Sequence, residues 1–332
     1  MKFDNETISQ HFLSQVEQRM NSFNIGAKNK NRRIYSFKVI DRDNYTVELE
    51  RPDGVKICDN LTFDDLFTFY KGSEKLRKNL ENAFGEYESK ISHLTNVIVN
   101  KVREGCNGED VSDVLVELLR VKFMNFLRNP FSIKKVLNSV GDLSSYYPVE
   151  RSLLKEFNLI DDSYKPHADR LCNFFNVTYE EYIKWIKILF LVLMRPGDMK
   201  ENILEAVVRN LLEDKRLKTM FIIFHYTGEH DDKKVCLSDR SWVDCIEHDD
   251  DRMGMDFNLT SNMFLRFGTV SLESLMPPGT PSHIVDLFLS RPKDIECFVI
   301  ENDLNILSSY NRNAVLQSYQ KVFCGSSEIY GL

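Results

Sequence analysis

The common catalytic signatures are missing from this chain. There is no Gly-x-x-x-x-Gly-Lys-Ser/Thr loop and no Gly-x-Gly-x-x-Gly turn, so the usual phosphate cradles are excluded. There is no Gly-x-Ser-x-Gly elbow and no His-Glu-x-x-His, which removes the familiar serine-hydrolase and metalloprotease arrangements. The seven cysteines include no Cys-x-x-Cys pair and no close pair of any kind, which predicts free thiols in a reducing cytosol. Met1-Lys2-Phe3-Asp4-Asn5-Glu6 lacks the basic and apolar regions of a signal peptide. The longest apolar run, Ile188 to Met194, falls far short of the ~20 residues of a membrane span and predicts a buried helix. A cytoplasmic protein without a membrane partner is expected.

A broad basic field is also missing. The 332 residues carry a net charge of −7, and residues 229–256 hold ten acidic against four basic residues, so the remainder is close to neutral. That balance argues against tight nonspecific duplex binding. Nucleic acid has one small cationic approach, Lys28, Lys30, Arg32 and Arg33, and a solvated loop is the favoured reading of it.

What the chain does have is ordinary globular material. Hydrophobic residues make up 42% and charged residues 28%, with 23 Phe and 13 Tyr to fill a core. Arg33–Ile40, Tyr45–Glu50 and Val55–Cys58 read as strands, the last two joined by the turn Arg51-Pro52-Asp53-Gly54. Apolar residues from Leu76 to Val102 recur every three or four positions and predict one long amphipathic helix capped by Ser73 and closed by Gly105. Asp110 opens a second helix that Pro130 ends, and Ser132 a short third one. Thr178 and Glu181 form a capping box, and Asp198 with Glu201 repeats the logic for a helix reaching about Leu217. Met220–Tyr226, Lys234–Leu237, Met263–Phe267 and Ile295–Ile300 read as strands. A helix begins near Ser282, and the last helix covers Asn313–Phe323.

The expected fold is therefore α+β. Residues 1–72 hold a small antiparallel β-meander, 73–218 a helical body, and 219–332 a mixed β/α segment. The strands of the two ends can share one sheet or stand apart.

The densest group of metal-ligand types is His225, His230, Cys236, Cys245 and His248, followed by Asp249, Asp250 and Asp251. Convergence of three or four of the first set would make a structural zinc site. The spacing matches no standard finger, Cys236 in a strand-like run reads as a small core residue, and an acidic loop between strands is the favoured alternative. The aspartates offer oxygen ligands for a divalent metal but lack the spaced pattern of a calcium loop.

A further set appears when distant positions are read in order. His11-Phe12-Leu13-Ser14-Gln15, then the β segment Arg33–Ile40, Tyr87-Glu88 in a long helix, Arg128-Asn129-Pro130 at a helix end, and Ser238-Asp239-Arg240-Ser241 after a strand follow one another along most of the chain. This order resembles an uncharacterised bacterial family of unknown function that opens with His-Tyr/Phe-Val-Pro-Gln, with Ser14 here in place of its proline. The resemblance implies a layout and a polar pocket of His11, Gln15, Glu88, Arg128 and Asp239, but no activity.

Three functional readings follow. The missing signatures favour a partner-dependent interaction module, for which a protein partner and a host–phage conflict system would be one setting. A hydrolase, including a metal-dependent nuclease, would use the pocket: His11 as general base, Arg128 as an anion fork, Glu88 and Asp239 to orient water or hold a divalent metal. The same five residues are also what a buried hydrogen-bond network would contain. A structural zinc protein is the third reading.

Overall fold

The structure is a computed structural model that describes residues 5–71, 76–106, 108–195, 200–245 and 251–332. It is α+β. In chain order the elements are β1 (Ser9–His11), α1 (Gln15–Met20), β2 (Arg33–Asp41), β3 (Thr46–Leu49), β4 (Val55–Lys56), β5 (Thr62–Asp64), β6 (Phe69–Lys71), β7 (Leu76–Lys78), α2 (Glu81–Arg103), α3 (Ser112–Arg128), α4 (Ile133–Val140), α5 (Arg151–Asp162), α6 (Ala168–Phe175) and α7 (Tyr179–Leu193). They continue as α8 (Ile203–Glu213), β8 (Leu217–His225), β9 (Leu237–Ser238), β10 (Val243–Asp244), β11 (Arg252–Thr260), β12 (Met263–Ser271), α9 (Leu272–Leu275), α10 (Ser282–Ser290), β13 (Ile295–Glu301), α11 (Leu304–Gln317) and β14 (Lys321–Cys324). No described helix is long and apolar enough to cross a membrane.

Two compact units are threaded through one another along the chain. The first contains residues 1–14, 59–91 and 120–207; the second contains 15–58, 92–119 and 208–332. The chain passes between them at 14/15, 58/59, 91/92, 119/120 and 207/208, the last three inside α2, α3 and α8.

The first unit is helical, with two two-stranded antiparallel sheets, β1-β5 and β6-β7. Helix α7 is its centre, because ten of its fifteen residues are buried. Its start is the capping box expected from Thr178 and Glu181, each side chain bonding the other's backbone N–H at 3.1 and 2.7 Å. Trp185 of α7 donates its indole N–H to the carbonyl of Leu127 at 2.7 Å, and Tyr182 donates to the carbonyl of Leu66 at 2.8 Å. Phe67 packs between Phe84 and Trp185. The C-terminal turn of α3 is thus held by the core, and that turn carries Arg128.

The second unit holds two five-stranded sheets. One runs β10-β11-β12-β8-β13, antiparallel except for the parallel pair β8–β13. The other runs β3-β2-β14-β9, with β4 also on β2. The N- and C-terminal strands therefore do share a sheet, through the antiparallel pair β2–β14. Leu307, Tyr310, Ala314 and Val315 of α11 pack in one core with Phe37 and Val322 of one sheet and Phe224 and Phe264 of the other.

Several sequence expectations are corrected. The long helix starts at Glu81, not in the seventies, because Leu76–Lys78 pair antiparallel with Phe69–Lys71; Ser73 lies outside the described residues. The capping box before α8 is Asn202–Glu205, with bonds of 2.9 and 3.0 Å, and Asp198 lies outside the described residues. Helix α11 starts after Asp303, whose carboxylate accepts from Asn305 and Ile306, and Lys321–Cys324 is strand.

Candidate functional site

Glu81 and Glu88 are seven residues apart on α2. Seven residues are two helical turns, so both carboxyls lie on one side of the helix. The guanidinium of Arg128 meets Glu88 at 2.5 Å and sits 5.2 Å above the ring of Phe84, which is on the same side. The exposures are unequal: the side chain of Arg128 is 1% exposed and that of Glu88 31%. Nε of Arg128 and Oε1 of Glu81 are buried without a partner.

Burial pushes the Glu81 carboxyl up to about 7, opposed by the positive charge of Arg128 and helped by the nearby Glu88. At neutral pH the Glu81 carboxyl is thus near its midpoint, beside the Glu88 carboxyl and the Arg128 guanidinium. That set can pass a proton or receive a small polar group. Glu81 was not singled out from the sequence. Its position two turns before Glu88 was the available signal, and it becomes visible once the helix is known to begin there.

Of the five pocket residues, Glu88 and Arg128 form an ion pair with one another. His11 ends β1 in the same unit, with Nδ1 3.1 Å from the carbonyl oxygen of Asn60. Gln15 and Asp239 belong to the other unit. Gln15 opens α1 and accepts from Arg19 at 2.9 Å.

Asp239 is fully engaged by backbone. Its carboxylate accepts the N–H groups of Tyr319 at 2.8 Å, Gln320 at 2.7 Å and Lys321 at 2.9 Å. It is 1% exposed, and burial raises its pKa against the pull of those three donors. The carboxylate fastens the turn after β9 to the start of β14. This is structural work, where the sequence reading has Asp239 orienting a water or holding a metal.

The proposed zinc ligands also have other occupations. Among the described residues no group of three His, Cys, Asp or Glu side chains is placed to hold a metal. Nδ1 of His225 is 3.3 Å from Glu301. His230 lies 3.6 Å from the neighbouring Glu229. Cys236 is buried in the core of the second unit, and Cys245 bonds to Asp256. His248, Asp249 and Asp250 lie outside the described residues, and Asp251 is described alone of that run. The basic cluster is partly used as well. Arg33 binds Asp53 at 2.6 Å, and Arg32 donates to the carbonyls of Arg19 and Ala27.

The second unit carries a different kind of candidate. Helix α10 has Ile284, Val285, Leu287, Phe288 and Leu289 among its nine residues, yet none of the nine is buried. Leu287 is 53% and Phe288 41% exposed, with Leu275 at 56% nearby in sequence. Phe288, Leu275, Leu272 and Met276 line a cavity of about 420 Å³ whose rim carries Lys215, Lys218, Arg291 and Lys293. Apolar helices normally bury one face, and among the described residues none covers α10 enough to bury any of its side chains.

No family model, curated protein or solved structure matches the chain. Functional inference therefore rests on the geometry itself.

Proposed function

We propose that the protein is a partner-dependent interaction module and that α10 is its contact surface for another protein chain. The observation that carries this reading is an apolar nine-residue helix with no buried residue. Its surroundings indicate the chemistry of the partner. Lys215, Lys218, Arg291 and Lys293 line the cavity together with Asp294, and Lys218 pairs with Glu296 at 2.6 Å, so charges of both signs border the apolar strip. An apolar strip with a mixed-charge rim suits a protein surface of similar make-up.

The test is photo-crosslinking in cells with a benzophenone side chain at position 287, and at Val149, which is 95% exposed, as control. A discrete adduct is expected at 287 and not at 149. The adduct protein, once identified and purified, should bind the wild type at least ten-fold more tightly than Leu287→Glu/Phe288→Glu. Equal adducts at both positions, or equal binding by the variant, would overturn the reading.

One observation favours a second reading, a hydrolase centred on Glu81, Glu88 and Arg128. A buried carboxyl that titrates near neutrality beside a second, more exposed carboxyl is the pairing that general acid–base chemistry uses. Turnover of phosphodiester, phosphomonoester or carboxylic ester substrates, with magnesium or manganese added, should then fall at least 100-fold in Glu88→Gln. Absence of turnover across that panel removes this reading and leaves the first untouched.

A further inference from the structure

The cysteines that are distant in sequence are not all distant in space. Strand β9 pairs with β14 in antiparallel register, Ser238 opposite Val322 and Leu237 opposite Phe323. One step further, that register sets Cys236 opposite Cys324. The N–H of Asp239 donates to the carbonyl of Lys321 at 3.2 Å, which makes 239/321 a hydrogen-bonded position. Positions alternate along an antiparallel ladder, so 236/324 is a non-hydrogen-bonded position.

The backbone of Cys236 agrees, because its groups are used elsewhere. Its N–H donates to Oδ1 of Asn311 at 2.9 Å. Its carbonyl accepts from the Tyr310 hydroxyl at 2.9 Å and from Asn258 at 3.1 Å. Facing residues at such positions have Cα atoms about 4.5 Å apart, inside the ~4.4–6.8 Å range that a disulfide spans. Both residues are fully buried, all seven cysteines are free thiols, and these two sulfurs are in hydrogen-bond contact.

The surroundings differ between the two. The Cys236 thiol and the N–H groups of Gly325 and Ser326 all donate to the Cys324 sulfur, which holds that thiol below its ordinary value despite burial. Cys236 is pushed up by the same burial without those donors. Cys324 is therefore the attacking thiol and Cys236 the resolving one.

We propose that Cys236 and Cys324 are a redox site, a dithiol that closes to a cross-strand disulfide by exchange with a small disulfide such as oxidised glutathione. The Cys324 thiolate attacks one glutathione sulfur, forms a mixed disulfide and releases one glutathione thiolate. The Cys236 thiol then loses its proton to solvent, attacks the Cys324 sulfur and releases the second. Two protein hydrogens are lost, one protein disulfide forms, and two glutathiones are produced from one glutathione disulfide. Access comes from fraying of β9, a two-residue strand at the edge of its sheet. Closure would tie that edge to β14 and so fix the turn that Asp239 fastens.

The experiment exposes the full chain to graded oxidised glutathione, then maps its peptides by mass spectrometry after alkylation in denaturant. The expected result is a Cys236–Cys324 linked peptide two hydrogens lighter than its parts, slower amide exchange over residues 237–241, and a Tm raised by roughly 5 °C or more. Cys236→Ala should trap glutathione on Cys324, whereas Cys324→Ala should leave Cys236 unmodified. If wild-type Cys236 and Cys324 are both still alkylated once the exposed thiols are oxidised, the proposal fails. That readout needs no variant to fold.

Discussion

The two units each bury an arginine–carboxylate pair, and they do it in opposite ways. In the first unit the guanidinium of Arg128 is the enclosed partner, while Glu88 is about one-third exposed and a single bond joins them. In the second unit the carboxylate of Asp256 is enclosed, 0% exposed, and Arg266 grips both its oxygens at 2.8 Å from opposite it on β12. Arg266 also lies 5.3 Å over the ring of Phe224, and Cys245 bonds to Asp256. The second pair is complete: each charge faces its complement and the fork is filled. The first leaves Nε of Arg128 and an oxygen of Glu81 without partners. A complete pair fastens strands, whereas an incomplete one leaves donor and acceptor capacity that a proton or ligand can use.

The comparison breaks most sharply by removing one partner. Arg266→Met leaves the Asp256 carboxylate buried and uncompensated, which should cost about 3–5 kcal/mol in urea unfolding. A loss below about 1 kcal/mol would mean that Asp256 reaches water or takes a proton at little cost. The pH profile comes next. The Glu81 carboxyl titrates near 7 when folded against 4.5 as an ordinary glutamate. The folded state therefore binds the extra proton between those values, and the stability it contributes is full below about pH 4.5 and lost as pH rises through about 7. The loss should be on the order of 2–3 kcal/mol, and Glu81→Gln should abolish that slope. A wild-type curve with the same slope as the variant would show that Glu81 is solvated.

Asp239→Asn tests the second unit from another side. An amide presents one acceptor oxygen where the carboxylate serves three backbone donors, and its NH2 would face one of them. A loss of about 2 kcal/mol is expected, with β9 and β14 exchanging faster in hydrogen-exchange mass spectrometry. An unchanged exchange pattern would show that the pairing of the strands holds without the clamp.

What could be read from the sequence divides along physical lines. Local chemistry was legible: the Thr178–Glu181 box is where its spacing put it, and α3 stops at Arg128 before Asn129-Pro130. Long apolar strands were legible too, as β8, β12 and β13 show. Strand β11 was not, because buried Asp256 and Asn258 interrupt its apolar pattern and their partners lie elsewhere in the fold. The short run Lys321–Cys324 read as the end of a helix, since only its neighbours β2 and β9 make it strand. The Glu88–Arg128 pair came from the family resemblance, but Glu81 needs the helix start at its own position to be noticed. The facing of Cys236 and Cys324 depends on a register between distant segments, which no local spacing records.

Arg128→Met sharpens the comparison from the other direction. Glu88 is already partly in water, so losing its partner leaves no enclosed charge, and the expected cost is only about 1–2 kcal/mol. The same change removes the charge that lowers the Glu81 pKa, so its titration should move further up as the protein loses little stability.

The smallest effect belongs to α10. Leu287→Ser at a site 53% exposed should change unfolding stability by no more than about 0.5 kcal/mol, since little apolar area leaves a core. Leu265→Ala, 0% exposed on β12 of the same unit, should cost about 2–5 kcal/mol. Near-silence at 287 in the isolated chain, together with loss of the crosslinked partner from Leu287→Glu/Phe288→Glu, would separate a residue kept for contact from one kept for packing. A large destabilisation by Leu287→Ser would instead place α10 within the fold's own core and withdraw the surface from any partner.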